Sequence, residues 1–275
     1  MEKSRAARPF IGGAVYHLAC RKGDIGKYVL MPGDPDRVDK IASQWDSFRV
    51  VSEHRQYRVY SGVYRGVEVT ACSSGIGGPS TAIAVEELAQ LGAETIIRVG
   101  STGAIQPGIE CGELVISTAA VRLDGASKQY IIPEYPAVAS YEVVLALIEA
   151  AEQLGVRYHV GITASTDSFY TGQGRPGYGG FQQSWMESIL RDLRRARVLN
   201  FEMEAATLFT LCSIFGLRAG AVCAVYAQRV SDEFEVKGED EACRVANEAV
   251  KILHEMDEEK SRASKRFWHP SLGSL

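Results

Sequence analysis

The chain has 275 residues, a formal net charge of -4 and 46% hydrophobic residues, which is enough to bury a sizeable core in one domain. This charge gives no electrostatic reason to bind nucleic acid or a membrane surface, so small anions are better candidate ligands than polyanions. The longest apolar stretch begins at Ala205 and is interrupted by Arg218, and the N-terminal region lacks the features of a signal peptide. We therefore expect a cytoplasmic protein that binds neither nucleic acid nor membranes.

Short apolar strands alternate with amphipathic helices along the chain. Strands are predicted at 28–31, on both sides of a turn at 65–66, and at 95–99, 114–117, 159–163 and 219–227. Helices are predicted at 37–42, 79–91, 144–154, 205–215 and 242–253. This alternation predicts a three-layer α/β/α fold with a mixed, largely parallel central sheet flanked by helices. We expect a single domain over 1–275, with loosely held ends at about 1–13 and 260–275.

The cysteines and histidines do not indicate a metal or redox site. The six cysteines are scattered along the chain without the close pairs of a zinc or redox motif. The five histidines likewise lack the spacing of metal ligands. We therefore predict that the protein uses no metal ion and no cofactor.

Arginines are the residues that most strongly suggest a ligand. Arg98 lies in the apolar run ETIIRVGSTG, where a buried strand is predicted to end in a Ser-Thr-Gly turn. A buried arginine needs an anion, which is either a ligand or an internal carboxylate. Arg37 follows a Pro-Gly-Asp turn at a helix start, which favours anions, although a solvated arginine is also ordinary there. Arg55 and Arg175 are further candidates, and Arg55 alone is uninformative.

Other motifs leave alternatives open. The glycines of SGIGGP at 74–79 match neither the dinucleotide-binding motif nor the P-loop, and close helix packing explains them equally well. Glu202 and Glu204 flank Met203 directly before an apolar helix, where glutamates also complement the helix dipole. The glycine-rich segment 171–183 is predicted to be irregular, which is typical of functional or mobile loops.

In this order, these motifs resemble those of the uridine phosphorylases of the nucleoside phosphorylase superfamily. The likeness runs from about His17 to Ile252 and includes PGDPDR, SSGIGGPSTAIAVEELAQLGAETIIRVGSTGAIQPG, VRLDGAS, TASTDSFYTGQGR, NFEMEAATL and AVYAQR. The resemblance implies reversible phosphorolysis of uridine to uracil and ribose 1-phosphate, with inorganic phosphate as co-substrate. It also implies a homo-oligomer, a hexamer built as a trimer of dimers whose sites are shared across the dimer.

The resemblance also implies a role for each candidate residue. Phosphate would be bound by Gly33, Arg37, Arg98 and Ser101, with Arg55 contributed by a neighbouring subunit. Ribose would be bound by Met203 and Glu204, with His17 contributed by the partner subunit. Uracil would lie near Phe169 and be bound by Gln173 and Arg175, with Arg229 nearby. The implied catalytic residues are Arg98, Glu204 and Arg175.

The sequence departs from the commoner bacterial pattern of this family at several positions. Ser101 stands where threonine is usual and keeps the hydroxyl, and Gly174 lies within the uracil loop. Gln56 stands where a glutamate contributes to an interfacial monovalent-cation site in some members, and a neutral amide would weaken such a site, which leaves cation binding open here. Residues 226–228 are expected at the base end, which leaves the order of preference among uridine, deoxyuridine and thymidine open.

Two alternative functions remain compatible with the sequence. A purine nucleoside phosphorylase or a nucleosidase of the same fold would protonate purine N7 with an aspartate. Asp232 lies just beyond the expected position, and Gln173 with Arg175 argues for pyrimidines. A non-enzymatic nucleoside-binding protein would most simply lack one of the arginines or the ribose glutamate, and neither is missing.

Overall fold

The computed structural model describes residues 6–272, in which strands and helices alternate as the sequence predicts. The helices are α1 (Asp36–Ala42), α2 (Gly78–Leu91), α3 (Tyr141–Leu154), α4 (Ser184–Arg195), α5 (Ala205–Phe215) and α6 (Glu239–Arg262). The strands are β1 (Phe10–Ile11), β2 (Ala14–Val15), β3 (Tyr28–Pro32), β4 (Ser47–His54), β5 (Tyr57–Tyr64), β6 (Val67–Cys72), β7 (Thr95–Ala104), β8 (Leu114–Leu123), β9 (Ala137–Val138), β10 (Tyr158–Thr166), β11 (Asn200–Glu202), β12 (Arg218–Gln228) and β13 (Glu233–Phe234).

Among the described residues, eleven strands form one mixed sheet flanked by helices, which confirms the predicted fold class. The strand order is β13-β12-β8-β10-β11-β7-β3-β6-β5-β4, with β9 paired to β8. Strand β12 also pairs with β7, so that β12, β8, β10, β11 and β7 close into a ring. The sequence does not predict this closure, because it depends on pairing between strands that are far apart in the sequence.

The two faces of the sheet are covered by different helices. One core cluster contains residues of α1, α3 and α6, and the other contains residues of α2 and α5. In β7, Ile97 and Val99 belong to the first cluster and Ile96 to the second. Because side chains alternate along a strand, Arg98 points to the same face as Ile96, towards α2 and α5.

The predicted turn after Arg98 is wrong, because β7 continues to Ala104. Its last residues, Gly103 and Ala104, pair with β11 on one side and with β12 on the other. Hydrogen bonding on both edges keeps this segment extended, so Arg98 lies in the interior of the strand. Sequence analysis also missed β1, β2, β4, β9, β11, β13 and α4.

Both ends of the described chain make contacts with other segments. Strand β1 pairs with β2, and the Trp268 indole donates a hydrogen bond to Glu259 at 2.6 Å. The looseness expected at 1–13 and 260–275 stays a prediction, and residues 1–5 and 273–275 lie outside the described residues. Within 6–272, every helix is too short or too polar to cross a lipid bilayer.

We expect Gly62→Ala to destabilise the protein by about 1–3 kcal/mol, because the new methyl group overpacks the β4–β5 hairpin. A Cβ on Gly62 would lie 2.1 Å from the Ser47 carbonyl oxygen and 2.7 Å from the Trp45 ring. Urea unfolding measures the change. Gly26→Ala is the matched control, since its Cβ would make only 3.5 Å contacts. Equal stability of the two variants would contradict this description of the hairpin.

Candidate active site

A cavity of about 770 Å³ opens where β3, β7, β10 and β11 end or pass one another. Ligands of α/β proteins bind at this kind of position, beyond the carboxyl ends of parallel strands. Nine predicted site residues line the cavity: Gly33, Arg37, Arg98, Ser101, Phe169, Gln173, Arg175, Met203 and Glu204. Arg229 lies just behind the lining, where its Nη1 donates to the Gln173 carbonyl oxygen at 3.1 Å. His17 and Arg55 do not line it.

Arg98 is held by two buried glutamates and keeps one nitrogen free. Its Nε lies 2.8 Å from Glu202 Oε2, and its Nη2 lies 2.5 Å from Glu204 Oε2. Burial alone lowers the pKa of Arg98, but the Glu204 and Glu202 carboxylates outweigh it, and the pKa lies above its usual value. Among the described residues, Nε and Nη1 are both buried without a hydrogen-bond partner, and of these two only Nη1 also lacks an ion-pair contact with a carboxylate. Internal carboxylates therefore neutralise Arg98, and Nη1 can still donate to a ligand.

Two glycines make room around the Arg98 guanidinium. A Cβ on Gly33 would lie 3.8 Å from Arg98 Nη1, so this nitrogen faces the turn that follows β3. A Cβ on Gly100 would lie 2.7 Å from Arg98 Nη2 and 2.8 Å from Cys223 Sγ, which leaves no space for another residue. Sequence analysis missed Gly100. The available signal was its spacing, because residues two apart on a strand share a face.

Glu202 was also missed as a site residue, although its position before a helix was recognised. Its Oε2 accepts hydrogen bonds from the backbone N–H groups of Glu204 and Ala205, at 2.8 and 2.9 Å, and Ser165 Oγ donates to Oε1. Glu202 therefore satisfies the first N–H groups near the start of α5 while it orients Arg98.

Glu204 connects the same cluster to the glycine-rich segment before α2. Its Oε1 accepts a hydrogen bond from the N–H of Gly77 at 2.6 Å, and Gly77 has a positive φ of 91°, which favours glycine at this position. Burial raises the pKa of Glu204 above its usual value, although the Arg98 guanidinium opposes the shift. The glycines of this segment thus bring backbone donors close to the cavity instead of forming a phosphate loop.

Arg37 lies at the same end of the cavity as Arg98 and is 6% exposed, so it is not a solvated arginine. Its Nε donates to Glu239 Oε1 at 2.6 Å and its Nη1 to the Val99 carbonyl oxygen at 3.2 Å. Burial lowers the pKa of Arg37, but the hydrogen bond to Glu239 outweighs it and the pKa is raised. With Ser101 also in the lining, this end of the cavity carries two cations and a hydroxyl.

The opposite end of the cavity contains arginines without carboxylate partners. The Arg175 guanidinium lies 4.0 Å from the centre of the Phe169 ring, and its Nη1 donates to Gln173 Oε1 at 2.5 Å. Burial, and then Arg229, lower the pKa of Arg175 to about 10. Burial also lowers the pKa of Arg229. No carboxylate in the described part of the chain forms an ion pair with either arginine. This end therefore favours a polar ligand that carries or develops negative charge.

Of residues 226–228, two line the cavity and the third is hydrogen-bonded to a neighbouring loop. Tyr226 and Ala227 line the cavity, and the Tyr226 hydroxyl accepts a hydrogen bond from Arg37 Nη2 at 3.4 Å. Gln228 instead donates to the carbonyl oxygens of Gln106 and Ile109, at 3.0 and 2.6 Å. The expectation that Gln228 reaches the base end is therefore wrong, because its amide is used to fix the neighbouring loop.

His17 and Arg55 both lie close to Tyr16 and outside the lining of their own chain's cavity, although Gln56, next to Arg55, is part of that lining. His17 Nδ1 is 2.7 Å from Glu87 Oε1. Arg55 is exposed and donates to the Tyr16 hydroxyl at 3.3 Å. Within the described residues, no group of three or more His, Cys, Asp or Glu side chains is placed to hold a metal ion.

Comparisons with known proteins agree with the fold. The family model described as "Phosphorylase superfamily" matches residues 27–256. The chain belongs to this superfamily. A uridine phosphorylase of Thermococcus kodakarensis is 66% identical over 94% of this chain and 94% of that protein. The uridine phosphorylase of Escherichia coli is 45% identical over 88% of this chain and 96% of its own length.

The superfamily relatives are not all named for the same base. A guanosine phosphorylase of Halorubrum lacusprofundi is 39% identical over 86% of this chain and 98% of that protein. Membership of the family therefore leaves the identity of the base to be argued from the residues of the cavity.

We expect Glu202→Gln to destabilise the fold by about 1–3 kcal/mol, because an amide has one acceptor oxygen for the three donors that the Glu202 carboxylate now satisfies, and a buried donor is left unpaired. The variant keeps the shape of the side chain but leaves Arg98 with Glu204 as its one carboxylate partner. Thermal and urea unfolding measure the effect. Glu94→Gln is the control, because Glu94 is exposed. A Glu202→Gln protein as stable as this control would show that the buried pair contributes little.

Proposed function

We propose that the chain catalyses the reversible phosphorolysis of uridine to uracil and ribose 1-phosphate. The observation that carries the proposal is a single cavity lined by the arginine donors of Arg98 and Arg37 with the Ser101 hydroxyl, and also by Gln173 and Arg175. The names of the relatives from Thermococcus kodakarensis and Escherichia coli support the same activity.

Phosphate would bind between Arg98 Nη1, Arg37, Ser101 and the backbone of Gly33. The free Nη1 supports this assignment, because a buried donor without a partner favours an acceptor ligand. Guanidinium groups suit phosphate since they donate paired, charge-assisted hydrogen bonds. Phosphate placed below C1′ would be both the nucleophile and the countercharge for the reacting sugar.

Ribose would lie over Met203 and Glu204, which line the cavity. As the glycosidic bond breaks, the sugar gains positive charge, and a carboxylate that binds its hydroxyls stabilises the transition state more than the ground state. Arg98 and the Gly77 N–H hold the Glu204 carboxylate in place for this contact. No side chain is required as a nucleophile.

Uracil would lie beside Phe169 and contact Gln173 and Arg175, with Arg229 behind them. The base leaves with negative charge, and two arginines without carboxylate partners stabilise that charge in a partly buried site. The acidic residues among those lining the cavity are Asp34, Glu202 and Glu204, and Asp232 is exposed outside it. An acid suited to protonating a purine is therefore not among the lining residues at this end.

We further propose that the active unit is a dimer within a hexamer, in which His17 and Arg55 of one subunit complete the site of the next. Their position outside the cavity of their own chain supports this arrangement. The cytoplasmic location and the independence from metal ions and cofactors also stay predictions.

Loss of uridine absorbance should require inorganic phosphate, because phosphate is the nucleophile in the proposed reaction. Ultraviolet assays of uridine, thymidine and inosine, each with and without phosphate, measure this dependence. Release of base at equal rates in both conditions would instead identify a nucleosidase. Preferential cleavage of inosine would identify a purine nucleoside phosphorylase.

Arg98→Lys should lower the phosphorolysis rate roughly a hundredfold or more, because lysine keeps the charge but loses the planar set of donors. Lysine is preferable to alanine, since Arg98→Ala would leave Glu202 and Glu204 buried without a cation. Steady-state kinetics with varied phosphate measure the loss, and circular dichroism checks the fold. Arg191→Lys, at an exposed position, is the control. Unchanged phosphate kinetics in Arg98→Lys would remove Arg98 from the phosphate site.

Mixing inactive His17→Ala and Arg98→Lys subunits should restore about a quarter of the wild-type activity, because half of randomly formed dimers then contain one intact site of two. Refolding the two proteins together and assaying uridine cleavage measures the recovery. A mixture of Arg98→Lys and Glu204→Gln is the control, since both residues belong to the same subunit's cavity and no intact site forms. Absence of recovery in the first mixture would contradict shared sites.

A further inference from the structure

We propose that Thr166 is a positioning residue that fixes the side-chain amide of Gln173 and thereby selects a uracil edge over a cytosine edge. The inference rests on the proposed function, since it concerns how the base end of that cavity discriminates between pyrimidines. Thr166 is the last residue of β10, is 1% exposed and is not among the residues that line the cavity. It therefore acts through Gln173.

Both ends of the Gln173 amide are held by neighbouring side chains. Gln173 Nε2 donates to Thr166 Oγ1 at 3.1 Å, and Gln173 Oε1 accepts from Arg175 Nη1 at 2.5 Å. The Gln173 side chain is 2% exposed, so water does not replace these contacts freely. Arg175 is itself fixed, because its Nη1 also donates to the Phe169 carbonyl oxygen at 2.8 Å.

The chemistry of the partners determines which way the amide points. A guanidinium has donors and no acceptor, so the amide atom facing Arg175 must be the oxygen. The nitrogen then faces Thr166, whose hydroxyl donates to the Ser168 carbonyl oxygen at 3.4 Å and so presents a lone pair to Gln173. Rotating the amide would place a donor against Arg175 and an acceptor against Thr166. The two contacts together therefore impose a single orientation.

An amide held in this orientation complements the hydrogen-bonding edge of uracil and does not complement that of cytosine. After its two internal contacts, Gln173 keeps one lone pair on Oε1 and one N–H on Nε2 for a ligand. Uracil presents an N3–H donor beside carbonyl acceptors, which complements this pair. Cytosine presents an N3 acceptor beside an amino donor, which is the reverse pattern. A site built to hydrogen-bond one pattern rejects a ligand that leaves its polar groups unpaired.

The test compares Thr166→Val, which removes the hydroxyl, with Thr166→Ser, which keeps it. We expect kcat/KM for uridine to fall about tenfold in Thr166→Val, as for the loss of one buried hydrogen bond. Cytidine, assayed as a substrate and as a competitive inhibitor of uridine, should not weaken, because it gains nothing from the fixed amide. The uridine-to-cytidine preference should therefore fall about tenfold, while Thr166→Ser keeps the wild-type preference and the KM for phosphate stays unchanged in both variants.

The outcomes separate this inference from the proposed function. If the wild-type protein does not cleave uridine with phosphate, the proposed function fails first. If it does, and Thr166→Val keeps the wild-type preference or weakens both nucleosides equally, Thr166 has a structural role alone and the inference is overturned. Melting temperatures identify loss of folding. If Thr166→Val does not fold, Thr166→Ala provides the same comparison, since it also removes the hydroxyl.

Discussion

The buried cluster of Arg98, Glu202 and Glu204 is the interaction on which the rest of the site depends. Charges removed from water are costly unless they are paired, and in this cluster Arg98 is paired with both glutamates through Nε and Nη2 while Nη1 stays without a partner. The same contacts join β7, β11, the start of α5 and the segment before α2. The geometry of the cavity and the stability of the fold are therefore set by the same few atoms.

Charge compensation divides the cavity into two functionally different ends. At the end where we propose that phosphate binds, Arg98 and Arg37 are balanced by glutamates, so the arginines stay ordered before any anion binds. At the end proposed for the base, Arg175 and Arg229 lack such partners, and burial holds the pKa of both below the usual value. Hydrogen-bond donors that are already in place suit the binding of an anion. Arginines without carboxylate partners can instead stabilise negative charge that develops on a ligand only during the reaction.

The sequence predicted the fold class and most of the cavity lining, because apolar periodicity and ordered motifs are local properties of the chain. The helix at 205–215 was predicted with the observed bounds, and nine proposed site residues do line one cavity. What it missed depends on partners far along the chain. Glu239 is 202 positions from Arg37, and the extended course of residues 101–104 depends on pairing with β11 and β12. No local pattern encodes such partners.

The pairing of β12 with β7 closes five strands into a ring beside the cavity. Moving one strand to widen the ring would break hydrogen bonds, since every strand of the ring is hydrogen-bonded on both edges. Accommodation of a bulkier nucleobase within this architecture must then come from the irregular segments that follow β10 and β12, including residues 169–175. The hydrogen-bonded ring keeps its strands in a fixed arrangement, and the irregular segments around the cavity are where relatives named for uridine and for guanosine can differ.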